Sequence, residues 1–342
     1  MIEALLYEKL ENGRVRCQLC AHRCVIASGK RGICQVRENR EGTLYSLVYG
    51  LPISQAVDPI EKKPLFHFYP GSTALSVATV GCNFRCTFCQ NADISQMPRD
   101  LGQIAGRQIS PEAIVRAAKR SQCGSIAYTY TEPTIFFEYS YDIAQLAHRE
   151  GIANVYVTNG YMTPEMLEMF TSSTGPPLMD AANVDLKAFR DEFYRRQCGA
   201  TLQPVLDSLV MMKERRVWLE VTTLVIPGLN DSDEELRDIS RFIALELGVG
   251  TPWHVSRFHP TYRLTDVPPT PVRTLHRARE IGLEAGLRYV YEGNVPGAGG
   301  ENTTCPTCGE VVIRRMGFAV LSNAAPGGVC AHCGGQVDGV GL

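Results

Sequence analysis

The amino-acid sequence predicts an α/β fold. A partial (β/α)6 barrel at 71–296 follows a cysteine-rich extension at 1–70, and a linker and small tail with two Cys-x2-Cys knuckles occupy 297–342. Three observations predict it. Short apolar runs alternate with helical patterns from Leu75 to Gly286, and strict alternation implies a parallel sheet with helices outside it. Polar residues of unusual type stand directly after each apolar run, where the active site of such a barrel lies. The cysteines gather in tight groups, one at the end of the first strand and one on each flank.

Composition sets the outer limits. The chain has 342 residues, 44% hydrophobic and 20% charged, which suits one large core with small appendages. A formal net charge of −2 carries no general attraction to nucleic acid or anionic lipid. No run of about 18 apolar residues is present to span a bilayer. The amino terminus, with Glu3, Glu8 and Lys9, lacks a basic region followed by an apolar signal core, so the chain reads as cytoplasmic with no membrane partner. In that reducing compartment, eleven of the 13 cysteines stand in tight clusters, which implies metal ligands rather than disulfides. Cys123 and Cys198 stand apart from the clusters and read as buried thiols without a role.

In chain order, the first group is Cys17, Cys20, Cys24 and Cys34, with Gly29 and Gly32 marking a turn. Four cysteines so close fit one closed site, either tetrahedral zinc or a four-cysteine iron–sulfur cluster, with His22 as a substitute ligand. The Cys-x2-Cys turn with its short return loop favours zinc; spacing alone does not separate the two. From Gly42 to Pro70 the text reads as short strands and an ordered loop, since its prolines exclude a long helix. His67, between Phe66 and Phe68, reads as a satisfied histidine in aromatic packing.

The barrel begins with the apolar run Leu75–Val80. Ser110 as N-cap and Pro111 at the first helical position open a helix to Ser121. The further strands are Ser125–Tyr130, Asn154–Thr158, Ala182–Leu186, Val217–Ile226 and Trp253–Phe258. The helices between and after them cover Thr134–Arg149, a segment opened by Thr163 and Pro164, Pro204–Arg215, Asp231–Leu247 and Pro271–Gly286. The six strand ends carry the cysteine loop, Thr131-Glu132-Pro133, Thr158-Asn159-Gly160, Asp185-Leu186-Lys187, Pro227–Asp231 and His259-Pro260.

The cysteine loop, Cys82, Cys86 and Cys89, has the spacing C-x3-C-x2-C. Three thiolates are one too few to close a cubane, so a four-iron cluster held by them keeps one iron open to a small molecule, which points to catalysis. The motif, with Phe88 before the last cysteine, resembles the signature of radical S-adenosylmethionine (SAM) enzymes. Thr131-Glu132-Pro133 resembles that family's Gly-Gly-Glu-Pro motif, with threonine in place of the second glycine. Thr158-Asn159-Gly160, Asp185-Leu186-Lys187 and His259 resemble motifs of glycyl-radical-enzyme activases, although Val157 stands where activases have aspartate.

The resemblance implies a 4Fe-4S cluster on Cys82, Cys86 and Cys89, and SAM held by Phe88, Glu132, Thr158, Asn159, Asp185, Lys187 and His259. It implies reductive SAM cleavage, a one-electron donor such as flavodoxin or ferredoxin, and a hydrogen donor that is either a glycyl residue of a partner protein or an unidentified substrate. Segments Arg31–Cys34, Val57–His67 and Glu292–Gly297 narrow it: the span from Met1 to about Gly297 resembles the AmmeMemoRadiSam-system radical SAM enzymes, relatives of pyruvate formate-lyase activating enzyme. That resemblance implies Memo-like and AMMECR-like proteins as partners.

In the tail, Cys305-x2-Cys308-Gly309 and Cys330-x2-Cys333-Gly334 form a zinc-ribbon pattern, with a rubredoxin-type iron site as its rival. Two other classes of function compete with the enzyme: an electron-transfer iron–sulfur protein, and a zinc-dependent nucleic-acid adaptor, for which Arg314-Arg315 is a small patch.

Overall fold

The computed structural model describes residues 1–171, 177–295 and 299–342. The boundary expected at 296/297 and the start of the expected linker lie outside the described residues. Eight strands form one sheet in chain order: β1 (Ser54–Pro59), β2 (Thr73–Ala78), β3 (Ser125–Tyr128), β4 (Ala153–Thr158), β5 (Ala181–Asp185), β6 (Trp218–Val225), β7 (Trp253–Arg257) and β8 (Val290–Gly293). Strands β2 to β8 run parallel, and β1 is antiparallel to β2.

The six expected strands are all present, and the sheet has two more. Among the described residues no α-helix follows strand β8, so counting strand–helix pairs passes over it. Strand β1 belongs to the stretch expected before residue 71, so the barrel sheet crosses that boundary. The helices start as their caps predict: Ser110 Oγ accepts the Ala113 amide at 3.3 Å, Thr163 Oγ1 accepts that of Met166 at 3.3 Å, and Ser232 Oγ accepts that of Glu235 at 3.2 Å. Each helix lays an apolar stripe on the sheet, such as Ile114, Val115 and Ala118 in Pro111–Arg120, or Ile143, Ala144 and Ala147 in Phe137–Arg149.

The amino-terminal extension folds into two small three-stranded sheets. A buried ion pair ties it to the barrel: both terminal nitrogens of Arg37 meet the Glu138 carboxylate, at 2.6 and 3.1 Å, and the Leu5 amide donates to Glu138 Oε1 at 3.0 Å. Thr163 Oγ1, besides capping its helix, donates to the Gln18 carbonyl at 2.6 Å.

Among the described residues β1 and β8 are each paired on one side only, so the barrel is open between them. The tail covers that opening. Its Val312, Ile313 and Val337 pack with Phe66, Tyr289 and Tyr291 in a separate apolar cluster. His67 is fully buried there, with its ring nitrogens 2.5 Å from the Asp338 carbonyl and 2.5 Å from the Tyr291 hydroxyl. The packing role expected of His67 is the one it has.

Burial pushes the His67 pKa down from 6.5 to about 4. Above 6.5 neither the folded nor the unfolded chain is protonated there; between 6.5 and about 4 only the unfolded chain takes up the proton. Stability is therefore lost as pH falls through that window, by about 3 kcal/mol in all. Thermal unfolding followed against pH should show a steeper acid loss in the natural chain than in His67→Gln, and equal slopes would contradict this assignment.

Candidate active site and metal centres

The cysteine loop leaves β2 through Gly81, whose φ of +103° is open to glycine and strained for other residues. A side chain there would also meet Val36 Cγ1 at 2.6 Å. The loop is braced from outside by the π-helical turn Tyr194–Cys198: the Arg85 amide donates to the Cys198 carbonyl at 2.9 Å, and the Thr87 amide to that of Gln197 at 2.9 Å. Cys198, taken from sequence as a thiol without a role, thus supports the loop through its backbone. Burial, then the charge of Glu132, pushes the Cys82 thiol well above its usual range, and burial raises Cys89. Such thiols become thiolates only with a cation beside them, which a metal supplies.

The loop opens into a cavity of about 430 Å³ at the carboxyl ends of the strands. Cys82, Cys86, Phe88 and Cys89 line it from one side, and Glu132, Thr158, Asn159, Asp185 and Lys187 from the others. His259 does not join them: it is exposed beyond β7, and His254, from within that strand, lines the cavity instead. Val157 lines it too, so the position where activases carry aspartate presents an apolar wall.

Glu132 is buried and already bound. Its Oε1 accepts from the Thr134 amide at 3.0 Å, Thr134 Oγ1 at 2.6 Å and Thr158 Oγ1 at 2.7 Å, while Oε2 accepts only from the Asn159 amide at 2.8 Å. The carboxylate therefore caps the turn at Pro133–Phe136, joins two strand ends, and keeps acceptor capacity on Oε2. Asn159 donates from Nδ2 to Asn83 Oδ1 at 2.8 Å and accepts the Tyr161 amide at 3.1 Å, so it orients the cysteine loop. Lys187 Nζ lies 2.7 Å from Asp185 Oδ2. Burial opposes its charge, but Asp185 and the Cys86 sulfur hold its pKa well above the usual lysine range. The surface ion pair that Asp185 and Lys187 suggest when read alone is instead a pair on the cavity wall.

The comparisons with known proteins bear on this geometry. A family model described as the radical SAM superfamily matches residues 76–242. An uncharacterized protein of Methanocaldococcus jannaschii, MJ0808, is 48% identical over 340 residues, 99% of each chain. The chain belongs to the radical SAM superfamily. More distantly, pyruvate formate-lyase 1-activating enzyme of Escherichia coli is 22% identical over 236 residues, 62% of this chain and 89% of that one. The fold is also that of a radical SAM methyltransferase from Sphaerobacter thermophilus, with a TM-score of 0.51 and 17% identity over 66% of this chain and 67% of that one.

The radical SAM cavity has a second, inward set of residues that reading the strand ends passes over: Asn183, Thr222, His254 and Ser256. Thr222 Oγ1 donates to Asn183 Oδ1 at 2.8 Å, and His254 Nε2 lies 2.7 Å from Glu220 Oε2. Their signal is present in the text as polar residues two apart within otherwise apolar strands, at 183 and 185, 220 and 222, and 254 and 256. Two loop residues are also missed: Asn83, buried between two of the cysteines, and Tyr130, which takes a left-handed φ of 65° and donates to Asp58.

The two flanking cysteine groups differ in geometry. In the tail, Cys305 and Cys333 sulfurs are 3.7 Å apart, those of Cys308 and Cys330 are 3.9 Å apart, and all four lie within 4.8 Å of one another. That is a zinc-ribbon-like appendage with the sulfurs spaced for one tetrahedral ion. The sulfurs of Cys17, Cys20, Cys24 and Cys34 line a small cavity with His22, Arg37 and Asn83. His22 Nε2 is taken up by the Asn83 carbonyl at 2.9 Å. No helix among the described residues is long and apolar enough to cross a membrane.

Proposed function

We propose that this radical SAM enzyme cleaves S-adenosylmethionine reductively at a 4Fe-4S cluster held by Cys82, Cys86 and Cys89, and that the hydrogen donor is a glycyl residue of a partner protein. The observation that carries the reading is the convergence of the three cysteines, Glu132, Asn159 and the Asp185–Lys187 pair on one cavity. When bound, the reduced cluster supplies one electron to the sulfonium of SAM, whose carbon–sulfur bond breaks to methionine and a 5′-deoxyadenosyl radical.

The chain's own residues do the holding. Glu132 Oε2 has capacity for the amino group of SAM, Lys187 offers a cation to its carboxylate, and Phe88 gives the cavity an apolar wall. Thr158 and Asn159 fix the Glu132 carboxylate and the loop, so any ribose contact uses the capacity they have left. A cavity of about 430 Å³ is near the size that one drug-sized ligand occupies. With SAM inside, only the hydrogen-donating group of the substrate enters, as an exposed loop of a protein can. The distant similarity to pyruvate formate-lyase 1-activating enzyme supports the same class of substrate.

The proposal includes zinc on Cys305, Cys308, Cys330 and Cys333, a flavodoxin or ferredoxin as electron donor, and Memo-like and AMMECR-like proteins as partners; the last rests on the resemblance of Arg31–Cys34, Val57–His67 and Glu292–Gly297 to the AmmeMemoRadiSam enzymes. Anaerobic reconstitution followed by assay of 5′-deoxyadenosine from SAM and dithionite tests the chemistry. A glycyl-radical doublet in the partner tests the substrate, and 5′-deoxyadenosine formed without one in every candidate protein counts against the glycyl assignment.

Glu132→Gln should keep the cluster and raise the KM for SAM by roughly tenfold or more, the cost of a charged acceptor lost from an ammonium. An unchanged KM would remove Glu132 from the SAM site and leave it as a structural cap.

A further inference from the structure

Around a single tetrahedral ion with metal–sulfur bonds of about 2.3 Å, neighbouring sulfurs stand about 3.8 Å apart. The tail cysteines meet that spacing at 3.7 and 3.9 Å. The amino-terminal cysteines do not. Among the described residues no three of the Cys17, Cys20, Cys24 and Cys34 sulfurs come within 4.8 Å of one another, although all four line one cavity. The sulfurs of Cys82, Cys86 and Cys89 likewise form no such close group of three. A cubane, with irons at separate corners, accepts a wider set of thiolates than a single ion does.

A second observation is independent of the sulfurs. Arg37 Nε and Asn83 Nδ2 are buried donors with no hydrogen-bond partner, and both residues line this cavity. Arg37 is 1% exposed and Asn83 0%. Buried donors are normally paired, and two orphans on one four-cysteine cavity call for an anionic acceptor inside it. The inorganic sulfides of a cluster accept such N–H bonds, which also tune its potential.

The position is informative as well. A Cβ at Gly81 would lie 3.2 Å from the Cys34 carbonyl oxygen, and His22 Nε2 is 2.9 Å from the Asn83 carbonyl. One thickness of backbone, at the start of the catalytic cysteine loop, separates the two sites.

We propose that Cys17, Cys20, Cys24 and Cys34 hold a second 4Fe-4S cluster against the back of the catalytic loop, in place of the zinc that their spacing along the chain favours. With a thiolate on every iron it has no open corner, so one-electron chemistry rather than ligand binding is its task.

The full chain, reconstituted anaerobically, should contain about eight irons and eight sulfides; the Cys82→Ala/Cys86→Ala/Cys89→Ala variant and the Cys20→Ser/Cys34→Ser variant should each keep about four. Zinc should stay at about one per chain throughout. A triple variant with about two zincs and no iron overturns the proposal. If Cys20→Ser/Cys34→Ser fails to fold, the unaltered chain still decides: reduced with dithionite it should give two 4Fe-4S signals in electron paramagnetic resonance, one of which SAM shifts. A single signal overturns the second cluster. Two signals that SAM leaves unmoved uphold the second cluster and sink the SAM-cleavage reading instead, so the two failures are distinguishable.

Discussion

Replacing Cys82, Cys86 and Cys89 together with alanine should lower 5′-deoxyadenosine formation from SAM at least about 10³-fold, to the assay floor, which corresponds to roughly 4 kcal/mol or more of lost barrier reduction. The effect is this large because the variant removes every thiolate of the catalytic loop at once. Cys198, whose thiol meets that of Cys86, is a single ligand and cannot hold a four-iron cluster by itself. The four sulfurs of the tail are set by their own turns, so its zinc content should be unaltered. Activity above about a tenth of the natural rate in the triple variant would contradict the assignment of the catalytic cluster.

Glu138→Ala should destabilise the protein by about 3–5 kcal/mol. Arg37 and Glu138 have side chains only 2% exposed, and Glu138 takes both terminal nitrogens of the guanidinium as well as the Leu5 amide. Truncation strands a cation in the interior and a backbone donor beside it, and removing one partner of a buried pair costs much more than the pair contributes intact. Since Arg37 also lines the amino-terminal cysteine cavity, iron content should fall with stability. Glu138→Gln, which keeps an acceptor for the guanidinium, should fall between the two. Denaturant unfolding of the reconstituted chain measures this, and a loss below about 1 kcal/mol for Glu138→Ala would show that the guanidinium finds water.

Much of the barrel is legible along the chain because its rules are local. Ser110, Thr163 and their following prolines mark helix starts through geometry confined to one turn. The six expected strands are apolar runs that are buried on both faces, as parallel strands covered by helices are. What is not legible involves pairing partners distant in sequence. The antiparallel placement of β1 depends on its meeting β2, and β8 completes the parallel order with no α-helix after it among the described residues. His259 and His254 show the limit at the site itself. His254, within β7, is turned to the cavity by the pleat, whereas His259 lies past the end of the strand in an exposed loop, and residue order alone does not separate them.

The sequence by itself determined that three cysteine groups exist, that the middle one has three cysteines where closing a cubane takes four, and that the polar strand ends share one side of an α/β barrel. These follow from residue type and short-range spacing. The tertiary structure alone decided that the tail covers the open side of the barrel, that Asn83 and the Tyr194–Cys198 turn brace the catalytic loop, and how far apart the flanking sulfurs stand. The physical reason is that ligand count is a property of the chain, whereas sulfur-to-sulfur distance depends on the path of loops packed against other elements. Cys17, Cys20, Cys24 and Cys34 line a cavity walled by Asn83 and Arg37, whereas the tail cysteines Cys305, Cys308, Cys330 and Cys333 close directly on one another.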